Sequence, residues 1–477
     1  MKGLEDLGIR RLVTDSRKVA PGDTFVAYVG ETADGRRFIM DAVKRGASSV
    51  IWEEGGYSWD TDLHLPNLPV KNLREKAGEI ASLVYGDPSE KLHVIGVTGT
   101  NGKTSSTHWI AQAMTRMGRK TAVIGTLGNG FPGKLSATVN TTPDAVAIQA
   151  LLAEYLEEGA ECVAMEVSSH ALTQGRVNGV RFDIGLFTNL TRDHLDYHGD
   201  MESYGAAKAM LFDRTELKQA ILNVDDYFGA SLMEQSAAKE KIAYGFSEMG
   251  AKEWVKGKNL RFELGEMVLD VESSWGCGVM RSRTVGKFNA SNLLGVLGVL
   301  LASGCGFGES LDALAAIEAV PGRMQKLGGD GKPVVVVDYA HTPDALENVL
   351  DALREMAKGE LVCVFGCGGD RDPGKRPIMG KIASSHADRI YVTSDNPRSE
   401  AIDSIIDQIV GGIEGDYCAI RDRKDAIFRS IHDSGMEDVV LIAGKGHEDY
   451  QEIMGKKFPF SDIEVARCAL EAWGGTC

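Results

Sequence analysis

A glycine-rich stretch between an apolar run and a helical pattern is suited to binding phosphate. It runs from His93 to Thr104 and reads HVIGVTGTNGKT. Gly99 and Gly102 permit a tight turn whose backbone N–H groups face an anion. Lys103 adds a positive charge for the outer phosphates, and the Thr104 hydroxyl is suited to Mg2+ at the positive end of the next helix. The stretch predicts a buried strand, a phosphate-binding loop and a helix.

This loop departs from the common phosphate-loop pattern GxxxxGK[ST]. Val97 occupies the position of the first glycine, and Gly96 lies one residue too early. An ordinary glycine turn between a strand and a helix is therefore the alternative interpretation. The lysine and threonine at the helix start, directly after an apolar strand, favour phosphate binding.

Further polar residues follow other apolar runs. Glu166 ends the predicted strand 162–165, where a carboxylate is either a second metal ligand beside a phosphate loop or a helix cap. The segment 192–199 contains His194 among several His and Asp residues, a density typical of metal or phosphate chemistry. Lys208 stands between alanines before an apolar run and has the pattern of a solvated surface lysine.

The last third of the chain predicts a doubly wound α/β sheet. Predicted strands 334–337, 361–365, 390–393 and 439–443 alternate with helical patterns, and each strand ends in a polar loop. In such sheets the ligand site lies along the carboxyl ends of the strands. We therefore expect the polar loops after these four strands to lie along one edge and to form a site.

Composition restricts the possible classes of function. The 477 residues are 43% hydrophobic and 25% charged, as in soluble globular proteins, and predict two to four domains. A net charge of −16 argues against nucleic acid as a partner. The eight scattered cysteines form no CxxC pair and fit a reducing cytosol. Because the sequence shows no long apolar run and no signal-peptide pattern, we expect a cytoplasmic protein without membrane insertion.

The patterns divide the chain into three units, at 1–87, 88–330 and 331–477. The stretches 86–90 and 328–333 have the glycine and proline content of linkers. The first unit shows no acid–base constellation. Its polar segments 14–17 and 31–37 either line a small-molecule site or are ordinary turns.

Together the motifs resemble the Mur ligase superfamily over nearly the whole chain. The matching motifs are GTNGKT at 99–104, DYAHTP at 338–343 and GKGHE at 444–448. The stretch DNPR at 395–398 resembles the members that add meso-diaminopimelate rather than lysine. The resemblance implies an N-terminal α/β domain that binds a UDP-sugar, a central phosphate-loop ATPase-type domain with a parallel sheet, and a C-terminal Rossmann-like domain.

The resemblance also implies an activity in peptidoglycan precursor synthesis. Such a ligase uses ATP and Mg2+ to join meso-diaminopimelate to the D-Glu γ-carboxylate of UDP-MurNAc-L-Ala-D-Glu, through an acyl phosphate, and releases ADP and phosphate. We expect a monomer. A folylpolyglutamate synthase, which shares the central domain and the chemistry, is one alternative; a nucleotide-binding module without turnover is another.

The resemblance further implies roles for individual residues. Those for ATP are Gly99, Thr100, Asn101, Gly102, Lys103, Thr104, Ser105, Asn289, Arg323 and Asp338. Those for Mg2+ are Thr104, Glu166, His194 and Lys208, the last as the carbamylated lysine of the family, and the catalytic residues are Lys103, His194 and Lys208. Those for the UDP-MurNAc-dipeptide are Thr14, Ser16, Glu31, Thr32, Ala33, Asn140, Thr141, Thr142, Ser168, Gln174 and Arg176. Those for diaminopimelate are Arg371, Asp395, Asn396, Pro397, Arg398, Gly444 and Glu448.

Overall fold

A computed structural model describes residues 3–31, 33–263 and 266–474. It contains three α/β units in chain order, each built on its own sheet. The α/β class and the division into N-terminal, central and C-terminal parts agree with the prediction.

The N-terminal sheet has four strands in the order β1-β2-β3-β4, and all of them are parallel. Apolar residues pack on both of its faces. The stretch 86–90, predicted as a linker, leads into the short helix α3, which ends at Lys91. The strands are β1 (Leu12–Val13), β2 (Thr24–Ala27), β3 (Ser49–Glu53) and β4 (Asn67–Val70), and the helices are α1 (Ile39–Lys44), α2 (Leu73–Val84) and α3 (Pro88–Lys91).

The central sheet has eleven strands. Their ranges are β5 (His93–Thr98), β6 (Thr121–Gly125), β7 (Gly128–Phe131), β8 (Lys134–Ser136), β9 (Cys162–Glu166), β10 (Ile184–Phe187), β11 (Gln219–Asn223), β12 (Glu240–Gly245), β13 (Glu253–Glu263), β14 (Glu266–Ser273) and β15 (Gly276–Ser282). The order is β15-β14-β13-β12-β11-β10-β5-β9-β6-β7-β8. The strands from β13 to β6 run parallel, as predicted, while the outer strands on both edges are antiparallel, which the sequence analysis did not predict.

The helices of the central unit cover both faces of this sheet. They are α4 (Lys103–Arg116), α5 (Ala145–Glu157), α6 (Ser169–Thr173), α7 (Leu195–His198), α8 (Met201–Ala209), α9 (Tyr227–Gln235), α10 (Lys287–Ala302) and α11 (Phe307–Ala315). Asp200 caps the start of helix α8 by accepting from the Ser203 N–H, and the helix ends at Ala209. Helix α10 begins at Lys287, directly after Gly286.

The third sheet has six strands in the order β16-β17-β21-β18-β19-β20, parallel except for β16, and the hairpin β22-β23 lies apart from it. Its strands are β16 (Gln325–Gly328), β17 (Val334–Asp338), β18 (Leu361–Phe365), β19 (Arg389–Val392), β20 (Cys418–Ala419), β21 (Val439–Ala443), β22 (Tyr450–Ile453) and β23 (Lys456–Pro459). Its helices are α12 (Pro343–Arg354), α13 (Lys375–His386), α14 (Ile402–Val410), α15 (Arg423–His432) and α16 (Asp462–Ala472).

The turn between β16 and β17 is the stretch predicted as the second linker. It joins two hydrogen-bonded strands of one sheet, so it is a hairpin turn and not a linker. A boundary at 330/331 would cut this hairpin. We therefore propose that the C-terminal unit begins before Gln325.

A fully buried ion pair stabilises the C-terminal sheet near the carboxyl end of β21. The Arg423 guanidinium donates two hydrogen bonds of 2.7 Å to the Asp462 carboxylate, and both side chains are 0% exposed. It also donates to the Ala443 carbonyl at 2.9 Å. The pair thus joins α15 and α16 to the end of β21.

We predict that Asp462→Ala lowers the free energy of unfolding by about 3–5 kcal/mol, because it leaves a buried guanidinium without its counter-charge. Urea denaturation followed by circular dichroism measures the change. Arg467→Ala is the matched control on the same helix, since it breaks the exposed Arg467–Glu464 pair and should cost less than about 1 kcal/mol. Equal losses in the two variants would contradict the role assigned to the buried pair.

Candidate active site

A cavity of about 490 Å3 lies between the central and C-terminal units. The carboxyl ends of β5 and β9 open into it from the central unit, and the end of β17 opens into it from the C-terminal unit. Its size is in the usual range for a small-molecule site. The predicted residues that line it are Thr100, Asn101, Gly102, Lys103, Thr104, Ser105, Thr141, Glu166, Ser168, His194, Lys208, Asn289, Arg323 and Asp338.

The loop between β5 and α4 depends on glycine at two positions. Gly99 and Gly102 have φ angles of +148° and +86°, in the region that favours glycine. A side chain at Gly99 would overlap the Thr188 hydroxyl, and one at Gly102 would overlap the Asn292 amide. The loop therefore packs its backbone closely against neighbouring side chains, and these contacts require glycine at both positions.

Two lysine side chains converge on one carbonyl oxygen of this loop. Lys103 Nζ and Lys208 Nζ each donate to the Gly99 carbonyl at 2.8 Å, and Lys103 also donates to the Thr100 carbonyl at 2.8 Å. Burial lowers the pKa of both amines, and the charge of Lys103 further lowers the pKa of Lys208. Lys208 is 1% exposed and lies 4.2 Å from the centre of the Tyr204 ring, so the prediction of a surface lysine from its local pattern was wrong.

Glu166 ends β9 with its carboxylate buried beside the start of α4. It accepts from the Thr104 hydroxyl at 3.0 Å and from the Thr126 N–H and hydroxyl at 2.7 and 3.1 Å. The residue is 1% exposed. The carboxylate thus lies next to the hydroxyl that the sequence analysis assigned to the same metal ion.

His194 lies at the start of α7 with a φ angle of +54°. Its Nε2 is 3.4 Å from the Asp193 carboxylate, and burial lowers the pKa of His194 to about 3 although Asp193 raises it. Asp193 also contacts the C-terminal unit, with His341 Nε2 at 3.6 Å and Lys375 Nζ at 3.8 Å. Burial raises the pKa of Asp193, but the hydrogen bond with His341 and the charge of Lys375 hold it well below its usual value. A neutral imidazole is the form that binds metals.

The donor set fits Mg2+ shared with a nucleotide. Thr104, Glu166, His194 and Lys208 all line the cavity. Among the described residues no three His, Cys, Asp or Glu side chains converge as a metal cage. Mg2+ commonly takes one or two carboxylates and completes its shell with water and substrate phosphates. One buried carboxylate beside a phosphate-binding loop therefore suits Mg2+ and does not suit a structural zinc ion.

The C-terminal unit contributes an arginine to the same cavity. Arg323 Nη2 donates to the Thr104 hydroxyl at 3.1 Å, and its guanidinium lies 4.4 Å from the centre of the Tyr339 ring. Asp338 accepts from the Met324 N–H at 2.7 Å, which holds the segment that carries Arg323. Burial raises the pKa of Asp338, opposed by the charge of Arg323.

A second contact joins the loop to the C-terminal unit. Asn101 Nδ2 donates to the Asp344 carboxylate at 2.9 Å, in the first turn of α12. Outside the cavity, Arg192 donates to the Asp372 carboxylate at 2.9 and 3.3 Å. The phosphate-binding loop therefore touches both units that form the cavity.

Several residues predicted to contact the dipeptide form one hydrogen-bonded chain. Arg176 donates to the Gln174 amide at 2.7 Å and to the Thr142 carbonyl at 2.9 Å. Gln174 donates to the Glu31 carboxylate of the N-terminal unit at 2.7 Å. The Thr142 hydroxyl lies 3.3 Å from the Ser168 hydroxyl. The chain leads from the N-terminal unit to the end of β9.

The residues predicted for the amino acid lie beyond β19 and β21. Asn396 Nδ2 donates to Glu448 Oε2 at 2.8 Å, and the buried Lys445 ammonium bonds both side chains at 3.1 and 3.0 Å. Arg398 Nη1 donates to the Gly369 carbonyl at 2.7 Å. Gly444 follows β21, and its α-carbon faces the Asp395 carboxylate. The structure thus gathers Asp395, Asn396, Pro397, Arg398, Gly444 and Glu448 at one sheet edge.

Similarity to known proteins extends over nearly the whole chain. Three protein-family models match parts of the chain. Residues 8–85 match "Mur ligase family, catalytic domain", residues 97–300 match "Mur ligase middle domain", and residues 322–446 match "Mur ligase, glutamate ligase domain". A UDP-N-acetylmuramoyl-L-alanyl-D-glutamate--2,6-diaminopimelate ligase of Chromobacterium violaceum is 51% identical, over 99% of this chain and 96% of its own. The chain belongs to the Mur ligase family.

Solved structures agree with this assignment. A UDP-N-acetylmuramoyl-L-alanyl-D-glutamate--2,6-diaminopimelate ligase is 36% identical with a TM-score of 0.68, covering 97% of this chain and 95% of that chain. The folylpolyglutamate synthase of Mycobacterium tuberculosis, solved with ADP and AMPPCP, is 18% identical with a TM-score of 0.65, covering 78% of this chain and 92% of that chain. At 18% identity the second likeness shows the fold alone.

Some predicted residues of this Mur ligase lie outside the hydrogen-bonded clusters described above, as far as the described residues show. Thr14 and Ser16 follow β1, where Asp15 caps a turn, and no hydrogen bond among the described residues connects them with the chain through Glu31. Thr32 lies outside the described residues. The remaining three, which are all exposed, are Ala33, Asn140 and Arg371.

Three further residues belong to the site although no role was predicted for them from the sequence. Thr126 bonds Glu166 and also the Thr141 hydroxyl at 3.1 Å, and it follows an apolar strand, a signal like the one that drew attention to Glu166. Lys445 and Tyr339 lie within the quoted motifs GKGHE and DYAHTP. Among the described helices, none is both long and apolar enough to cross a bilayer.

Proposed function

We propose that this Mur ligase joins meso-diaminopimelate to the D-Glu γ-carboxylate of UDP-MurNAc-L-Ala-D-Glu, driven by ATP. The proposal rests on a continuous series of contacts that leads from the phosphate-binding loop to the residues predicted to bind the amino acid. Thr104 of the phosphate-binding loop touches Arg323, Arg323 stacks on Tyr339, and the Tyr339 hydroxyl lies 3.5 Å from Glu448 in the amino-acid pocket. Full-length relatives that are named for this activity support it.

The proposed reaction has two steps. A γ-carboxylate oxygen attacks the γ-phosphorus of ATP. A new oxygen–phosphorus bond forms, and the bond between the γ-phosphorus and the bridging oxygen of the leaving ADP breaks. The amine of diaminopimelate then attacks the acyl carbon, loses a proton, and displaces phosphate as the amide forms. Lys103, Arg323 and the loop N–H groups stabilise the charge that spreads over the transferring phosphoryl group.

The residues around Glu166 would hold the metal ion. Thr104, Glu166 and His194 supply a hydroxyl, a carboxylate and an imidazole, and Mg2+ bound there with the phosphates would supply further positive charge. Arg176 and Gln174 would hold the dipeptide beside the loop. The predicted contacts of Thr14, Ser16, Thr32 and Ala33 with the UDP end belong to the same proposal.

We also propose that Lys208 is carbamylated. Its amine is buried beside a second ammonium group, and this favours the neutral, nucleophilic form. Attack of that amine on CO2 forms an N–C bond and releases a proton, which replaces a cation by a carboxylate. The product would remove the repulsion from Lys103 and add a second carboxylate next to Glu166 for Mg2+.

The Arg398 guanidinium would explain why the enzyme selects diaminopimelate over lysine. Diaminopimelate carries a second carboxylate where lysine ends in a plain ammonium group. A planar guanidinium binds a carboxylate with two parallel hydrogen bonds, whereas a lysine ligand would bring two cations together. We further propose that the enzyme is a cytoplasmic monomer without nucleic-acid partners. It would supply precursor for the cell wall of the growing and dividing cell.

Phosphate release tests this function directly. We expect release from ATP to require Mg2+, UDP-MurNAc-L-Ala-D-Glu and meso-diaminopimelate together, and to be much slower with L-lysine in place of diaminopimelate. Mass spectrometry of the UDP product identifies the amino acid added. Preference for lysine would overturn the substrate assignment, and release with neither amino acid would overturn the activity.

We predict that Arg398→Ala lowers kcat/KM for meso-diaminopimelate by roughly thirtyfold or more and leaves the KM for ATP unchanged. The loss follows because one partner of a desolvated charge pair is removed, an effect of about 2–5 kcal/mol. Arg421→Ala is the control, since Arg421 is an arginine of the same domain whose side chain is 73% exposed. Unchanged turnover of diaminopimelate in Arg398→Ala would contradict the proposed pocket.

We predict that Lys208→Met lowers kcat by about 100-fold or more, because it removes both the amine and the carboxylate that the amine would form. In protein equilibrated with 13C-bicarbonate, wild type should show a carbamate carbon signal that the variant lacks. Lys239→Met, at an exposed lysine of the central domain, should keep the signal and the activity. A carbamate signal that persists in Lys208→Met would place the modification elsewhere.

A further inference from the structure

The loop that carries the proposed amino-acid contacts is held by the hairpin β22-β23. We call residues Ser394–Arg398 the recognition loop. The hairpin is separate from the six-stranded sheet, and its outer strand β23 is exposed along its whole length. Its inner strand lies along the recognition loop, and an isolated bridge pairs Arg398 with Ile453. The hairpin thus adds a short extra strand to a loop rather than to a sheet.

Three hydrogen bonds from backbone N–H groups join the two segments, two of them to backbone carbonyls and one to a side chain. The Glu452 N–H donates to Asn396 Oδ1 at 2.9 Å, and the Arg398 N–H donates to the Glu452 carbonyl at 3.0 Å. The Met454 N–H donates to the Arg398 carbonyl at 2.7 Å. Both backbone groups of Arg398, the N–H and the carbonyl, are therefore bonded to the hairpin. The hairpin also sets the orientation of the Asn396 amide.

Gln451 supplies the side-chain part of this connection. Its Nε2 donates to the Ser394 hydroxyl at 2.8 Å and to the Asp395 carbonyl at 2.7 Å, so both hydrogens of the amide are directed at the recognition loop. Ser394 and Asp395 are 6% and 8% exposed. Water has little access to replace these bonds, and an unpaired acceptor at this depth is unfavourable.

The loop needs such support because its own conformation is strained. Arg398 has a φ angle of +50°, where a side chain other than glycine is uncommon. Its guanidinium nevertheless reaches the Gly369 carbonyl at 2.7 Å, with Glu452 Oε2 at 3.7 Å from Nε. A strained residue persists when its surroundings impose the conformation. Here the surroundings are the hairpin on one side and the loop after β18 on the other.

We propose that Gln451 is a positioning residue that sets the selectivity of this ligase for an amino acid with a distal carboxylate. This inference rests on the proposed function. Gln451 acts through the recognition loop: its two hydrogen bonds fix Ser394 and Asp395, and this fixes the start of the segment that presents Asn396 and Arg398. Without them the guanidinium of Arg398 loses its defined place, and selection by a paired carboxylate weakens.

The test uses two variants of the full-length enzyme. Gln451→Met keeps the length of the side chain without its donors, and Gln451→Glu keeps its shape while replacing the donor by an acceptor. We expect each to lower kcat/KM for meso-diaminopimelate by about tenfold, through KM, and to lower the ratio of diaminopimelate to L-lysine use by a similar factor. The KM values for ATP and the UDP-dipeptide should stay unchanged, and the melting temperature should fall by only about 2–4 °C, because the lost bonds leave two buried acceptors unpaired.

Lys456→Ala is the matched control. Lys456 is exposed on the outer strand of the same hairpin, and its removal should change none of these values. A loss in the Gln451 variants that appears equally in the KM for ATP and in the melting temperature would overturn the inference in favour of a general structural role. An unchanged diaminopimelate ratio would also overturn it.

Hydrogen exchange gives a readout that does not depend on activity. In both Gln451 variants the Arg398 amide should exchange faster than in wild type, while the amides of β18 and β21 keep their protection. Unchanged exchange at Arg398 overturns the positioning role even if the enzyme is active. Wild-type enzyme that releases no phosphate with diaminopimelate overturns the proposed function instead, and faster exchange then still supports the positioning of the recognition loop.

Discussion

The carbonyl oxygen of Gly99 is the point on which the active site depends, because two lysine side chains end on it. Lys103 reaches it from the adjoining helix turn and Lys208 from α8, each at 2.8 Å. Two amines that share one carbonyl oxygen in a buried place would repel each other strongly if both were charged. Burial lowers the pKa of Lys103, and the negative charges of Glu166 and Asp193 oppose that effect. An added anion would complete the arrangement, and a triphosphate or the proposed carbamate on Lys208 would supply it.

The same loop determines how the two larger domains meet. Asn101 bonds Asp344 at the start of α12, and Thr104 bonds Arg323 just before β16. A nucleotide on the loop therefore lies against a surface to which the C-terminal domain is already attached. In the proposed reaction the carboxylate is activated on the central domain and the amine arrives on the C-terminal domain. Their reactive distance then depends on these two contacts, since small displacements of reacting groups have large effects on rate.

Features that depend on neighbours in the chain could be predicted, and features that depend on distant contacts could not. The strand before Gly99 and the helix that begins at Lys103 lie where the local pattern predicted them. Lys208 has the local pattern of a surface residue, but Tyr204 and the distant Gly99 carbonyl enclose it. Gln451 has no local signal either, because it acts on Asp395, 56 positions earlier. Resemblance to a family pointed to Lys208, whereas the residues around it did not.

An acidic protein that binds anions needs cations whose charge is not cancelled. The chain carries a net charge of −16, and screening over about 8 Å limits repulsion from distant carboxylates to the site's immediate surroundings. Within the site, Lys103 bonds two carbonyl oxygens, and Arg176 bonds the Thr142 carbonyl and the Gln174 amide oxygen. A carbonyl orients a cation without neutralising it, whereas a carboxylate would do both. The site therefore attracts phosphate and carboxylate groups because its cations are held by uncharged partners, more than because the cations are numerous.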